Sequence, residues 1–176
     1  MSQASKQVEW CLKKAKKELE ECRKLGKRPK HRGLIQLNPN KEVPLEHIKK
    51  SEENLQFALS IDRRKYGYKI VENTFYCIYQ CFLAIASKFG YESGNQACTV
   101  ALIEYLKEQG KIDLDNKFIS MMKYKEDQED KSFLSIIEMR EEYTYSSKTS
   151  LEEEKINELL ETSKEILSKT KDICLN

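Results

Sequence analysis

The chain reads as an all-α protein: an antiparallel up-and-down helical bundle of about five core helices, preceded by an N-terminal helix. Three observations carry that expectation. Only six glycines and three prolines occur in 176 residues, too few for the many turns of a β fold. Apolar residues recur at three- and four-residue spacing in one segment after another, and no stretch alternates apolar with polar as a strand would. Helix stop and start residues fall between those segments. The length suits one domain with a real core. A hydrophobic fraction of 39% can fill that core beneath a surface kept solvated by 34% charged residues.

Taken in order, residues 6–25 predict a long helix whose Val8, Leu12, Ala15, Leu19 and Cys22 form a narrow seam, with Gly26 as its stop. A seam so narrow, flanked by lysines, predicts a helix lying on a partner surface rather than in the core. The connector GKRPKHRGLIQLNPNKEVP follows, holding all three prolines and reading as irregular chain. Pro44 then opens a helix over about 45–61, and a more apolar one runs over about 66–89 to Gly90. Its apolar residues cover most of the circumference, which predicts burial by several neighbours. Asn95 or Ser93 caps a fourth helix over about 95–109, stopped by Gly110. Residues 114–123 and 130–143 predict a helical pair split by KYKEDQEDK. The last helix is expected from Ser150, where SLEE supplies a capping box. Two parts follow from this walk: a basic helix and connector over 1–44, and a helical bundle over 45–176.

The N-terminus MSQASKQVEW has no apolar signal core. The longest apolar run, TFYCIYQCFLAIA, is far short of the roughly 20 residues of a membrane span. The expectation is a cytoplasmic protein that does not meet a membrane. Without a secretory signal, the six cysteines (11, 22, 77, 81, 98 and 174) read as small buried or boundary hydrophobes rather than a disulfide framework. The only histidines, His31 and His47, lie far from Cys77 and Cys81 in sequence, so no zinc-ligand spacing forms and no metal or cofactor is expected.

Charge is uneven. Residues 1–33 hold 11 Lys/Arg against 4 Asp/Glu, a net +7, whereas residues 126–165 hold 5 against 13, a net −8. The basic head suits either a phosphate or the acidic region of a second copy. The connector cluster Lys27, Arg28, Lys30, His31 and Arg32 reads first as a solvated linker and second as a phosphate-contacting arm, and it has no interleaved aromatic residue for base stacking.

Three segments then combine: IKKSEENLQFALSI; VENTFYCIYQCFLAIASKFGYESGNQACTVALIEYL; and IIEMREEYTYSS entering LEEEKINELLETSKEIL. Together, with HRGLIQLNPN before them, they resemble the HEPN superfamily, in particular its small stand-alone prokaryotic branch, over roughly residues 45–174. That resemblance implies a helical bundle that dimerises. It also implies either a metal-independent ribonuclease or a companion of a nucleotidyltransferase-like protein in a toxin–antitoxin pair. Active members carry an arginine followed, after four to six residues, by a histidine, the two copies facing each other across the dimer. Arg140 matches the arginine, but Tyr145 stands at the first histidine position and no histidine follows His47.

Metal-free RNA cleavage needs a base for the 2′-hydroxyl proton and an acid for the leaving oxygen, work that an imidazole with a pKa of about 6.5 suits. A tyrosine near 10 is ionised about one part in a thousand at neutral pH, and Glu141 and Glu142 oppose its ionisation. If any catalysis survives, Arg140 and Tyr145 are the residues to carry it. A non-catalytic reading uses Arg140 as a two-pronged fork for a phosphate, with Tyr143, Tyr145, Lys148 and Asn73 completing a nucleotide or RNA site in a cleft between two copies of the chain. A plainer reading pairs Arg140 with Glu138, Glu141 or an acid of a second copy and leaves a purely structural interaction module. Asn73, Gln80 and Asn95 could line the same cleft, Asn73 first among them, although each is more often a hydrogen-bonded core or cap residue than a ligand.

Overall fold

A computed structural model describes residues 2–129, 132 and 134–175. In chain order its elements are α1 (Gln3–Lys24), β1 (Leu34–Gln36), α2 (Glu42–Ser60), α3 (Arg63–Lys88), β2 (Tyr91–Ser93), α4 (Gln96–Glu108), α5 (Asn116–Met121), α6 (Ile136–Tyr145) and α7 (Glu153–Leu175). The architecture is essentially all-α, as the periodicity predicts. The most apolar segment takes the centre. α3 packs against α2, α7, α6 and α4, burying Ile70, Val71, Phe75, Ile78, Phe82 and Ile85. α7 closes the bundle with Ile156, Leu159, Leu160, Ile166 and Leu167.

Local chemistry sets the helix ends. Ser2, Asp62, Asn95, Asp115 and Ser135 each accept a backbone N–H at an N-terminus, satisfying donors that the first turn leaves free. Gly26, Gly90 and Gly110 follow α1, α3 and α4 at φ of +59°, +77° and +65°, the left-handed conformation that glycine reaches without a Cβ penalty. The last helix starts three residues later than SLEE predicts. Tyr143 donates its hydroxyl to the Ser150 carbonyl at 3.2 Å, and Leu151 lies against Gly67 of α3. Those contacts hold the entry outside helical geometry. Of the predicted helix over 130–143, residues 130, 131 and 133 lie outside the described residues. Before α6 the chain makes one 3₁₀ turn, Lys125–Asp127, and buries Gln128, which donates to the carbonyls of Ser120 and Lys123.

Three expectations are corrected. The connector and the chain after Gly90 form a two-stranded antiparallel sheet, with Leu34 opposite Ser93 and Gln36 opposite Tyr91. Three residues per strand are too few to show an alternation in sequence. Second, α1 lies on its own chain, against α4 and β1. Its buried stripe is Ala4, Val8, Cys11 and Ala15, while Leu12, Leu19 and Cys22 sit half-buried at the margin. Gly33 lets the connector approach closely: a Cβ there would fall 2.2 Å from the Cys11 carbonyl oxygen. Third, Cys11 and Cys98 form a disulfide, with Cα atoms 5.9 Å apart across a separation of 87 residues. No local spacing pairs residues that far apart. Cys22, Cys77, Cys81 and Cys174 are free thiols, the last three buried. Among the described residues no helix is long and apolar enough to cross a membrane.

Candidate anion site between α3 and α6

α6 is amphipathic enough to bury Ile136, Ile137 and Met139 against the bundle, and that register leaves Arg140 half-buried on its flank. The guanidinium carbon lies 4.1 Å from the centroid of the Phe75 ring on α3. Such a cation over an aromatic face is worth about 0.5–2 kcal/mol and holds the guanidinium plane in one orientation. Phe75 is itself buried and stacks with Tyr79 at a centroid separation of 6.0 Å. The platform is therefore rigid.

The carboxylates that flank Arg140 in sequence are committed elsewhere. Glu138 accepts the Lys125 backbone N–H at 3.0 Å. Glu141 accepts the Tyr124 hydroxyl at 2.7 Å, and that bond pushes the Tyr124 pKa up. Glu142 pairs with Lys148, whose ammonium it holds above its ordinary pKa. Arg140 makes no ion pair among the described residues. Its only contact of note is the ring beneath it.

Arg140 opens on a concavity of about 120 Å³ lined by Tyr68, Lys69, Glu72, Tyr143 and Thr144. Lys69 and Glu72 pair at 3.0 Å, which raises the lysine's pKa and leaves the two together neutral. The uncompensated charge of the concavity is thus that of Arg140. Beyond the Lys69–Glu72 pair lies a larger cleft of about 640 Å³, walled by Phe57, Ile61, Tyr66 and Tyr76, with Asn73 in its lining. Phe57, Tyr66 and Tyr76 are exposed aromatics. The larger space is therefore walled mainly by aromatic and apolar surface, with Asp62, Ser60 and the Lys69–Glu72 pair also in its lining, and the smaller one is cationic.

The residues predicted from sequence fall in different places. Arg140 and Tyr143 line the small concavity together. Asn73 lines the larger cleft and donates its amide to the Lys69 carbonyl at 2.8 Å. Tyr145 is 87% exposed and lines neither, and Lys148 points to Glu142. Gln80 bonds His47 at 2.7 Å and Asn95 caps α4, so both are structural. Sequence reasoning missed Phe75 as the platform and Tyr66, Lys69 and Tyr76 as lining. For Lys69 and Tyr76 the signal was present: with Asn73 they share one face of α3 at helical period, whereas Tyr66 sits at a kink with φ −130° and ψ 29°. On a helix apolar nearly all round, that face is the one exception. Neither a family model, nor a curated protein, nor a solved structure matches this chain.

Proposed function

We propose that this protein is a HEPN-type helical dimer that binds a nucleotide or an RNA segment at Arg140 without cleaving it, alongside a nucleotidyltransferase-like partner. The observation that carries the reading is an arginine fixed flat on Phe75 while Glu138, Glu141 and Glu142 are each engaged elsewhere. A guanidinium kept free of neighbouring carboxylates presents its fork to an incoming oxyanion. The small concavity suits one phosphate group. The aromatic cleft next to it is large enough for a nucleobase, with Asn73 as a hydrogen-bonding side chain in its lining.

The ribonuclease alternative would use Arg140 and Tyr145. It gains no support from Tyr145, which lines neither the Arg140 concavity nor the cleft beside it, because a general base must reach the proton it removes. A cytoplasmic setting belongs to the same reading and is the part the Cys11–Cys98 bond pulls against, since reducing compartments keep such pairs as thiols.

Calorimetric titration with mononucleotides and short RNA tests the site. The wild type binds, and Arg140→Ala weakens binding about 10- to 100-fold, the worth of one charge-assisted hydrogen-bond set. Equal binding by both proteins, or none by the wild type, defeats the proposal. Cleavage of RNA in the presence of chelator would instead favour the nuclease reading.

A further inference from the structure

We propose that the outward face of α1, centred on Trp10, binds single-stranded nucleic acid. This inference does not rest on Arg140. Residues 1–33 hold eleven Lys and Arg, and among the described residues only Lys13 pairs with a carboxylate, that of Glu9. In the rest of the chain eight of the twenty Lys and Arg pair with carboxylates among the described residues. The front of the molecule therefore carries ten cations without an acidic partner, nearly all of them exposed.

Their placement follows from the disulfide. With Ala4, Val8, Cys11 and Ala15 seated on α4 and β1, the helical period turns Lys6, Trp10, Lys13, Lys17 and Lys24 into one narrow sector facing solvent. At 1.5 Å per residue that sector is about 27 Å long. Exposed cations of the connector continue from its C-terminal end. Trp10 is 52% exposed between Lys6 and Lys13, with the Lys14 ammonium 5.0 Å from its ring centroid. Glu20 and Glu21 dilute the charge near the last turns, so the strongest stretch is the one around the tryptophan.

An aromatic plane flanked by a row of cations supplies the two elements by which proteins hold a strand without reading it: ammoniums neutralise phosphates and the ring stacks one base. A bilayer would need the apolar stripe of α1 free to insert. That stripe is buried and covalently fastened. A single strand fits what remains exposed.

Trp10 is the only tryptophan, so its fluorescence reports this face alone. The oxidised, full-length protein is titrated with a 12-nucleotide RNA, the matching DNA strand, the DNA duplex, heparin and phosphatidylserine vesicles. The single strands quench Trp10, and their affinity falls with salt with a log–log slope of about −3, corresponding to about four neutralised phosphates. Lys6→Ala/Lys17→Ala/Lys24→Ala lowers that slope to about −1. Trp10→Ala, followed by anisotropy of a labelled strand, weakens binding by about fivefold or more. Lys155→Ala/Lys164→Ala on α7 changes nothing. Unchanged fluorescence with both single strands overturns the proposal. So does quenching by vesicles alone, or equal binding of heparin and strand by wild type and Trp10→Ala.

Discussion

The front of the molecule and its back are held by different physics. At the back, α2, α3, α6 and α7 meet through broad apolar faces, and Phe75, Phe82, Ile70, Ile78 and Ile85 are shut off from water almost completely. At the front, α1 buries only two alanines, a valine and a cysteine, and one disulfide and one close glycine approach complete the joint. Burial at about 25 cal/mol per Å² of apolar surface gives the back its stability. The front has too little such surface and depends on a covalent cross-link. The same difference governs charge. Among the described residues eight of the twenty cations beyond residue 33 pair with carboxylates, against one of the eleven before it.

The largest effect is expected where the back is weakened. Phe82→Ala removes a fully buried ring and costs about 3–5 kcal/mol, read by urea denaturation. A loss under about 1 kcal/mol would mean that α3 is not the centre of the core. Next comes the joint itself. Cys11→Ala/Cys98→Ala releases a loop closed across 87 residues and costs about 2–4 kcal/mol. Limited proteolysis of that variant cleaves within residues 3–24 before it reaches α3. Simultaneous cleavage of both would erase the distinction between front and back.

The smallest expected effect sharpens the comparison from the acid side. His47 on α2 is half-buried and donates to the Gln80 side chain at 2.7 Å. Burial is the main cause that pushes its pKa below the ordinary 6.5. A lowered value means that the unfolded chain takes up the proton first. Its contribution is therefore intact above about pH 6.5 and is lost as pH falls from there towards the folded value. Thermal unfolding between pH 7.5 and 5 shows this as an extra decline that His47→Asn lacks. Equal slopes for the two proteins would remove the role given to that burial.

Much of the fold was legible because helices announce themselves locally. Gly26, Gly90, Gly110 and Asn95 mark their own helix ends, since a φ preference or a side-chain acceptor acts within a few residues. The circumference of α3 predicts its central place. The entry to α7 was not legible, because Tyr143 and Leu151 hold it by contacts made only after α6 has packed. Arg140 was legible as a candidate. Its partner was not: three acids stand within two residues of it in sequence, yet Glu138, Glu141 and Glu142 turn to Lys125, Tyr124 and Lys148, and the guanidinium settles on a ring 65 residues earlier.

What the sequence determined by itself was the helical class, most helix ends, the buried centre and the imbalance of charge, all set by preferences that act over one or two turns. Only the tertiary structure decided that Cys11 meets Cys98 while Cys77 and Cys81, one turn apart on α3, remain thiols near the Ser51 hydroxyl. It likewise decided which face of α1 is buried and which carries Trp10 into solvent. Those outcomes depend on distances between elements far apart along the chain, and such distances come into being only when the helices pack.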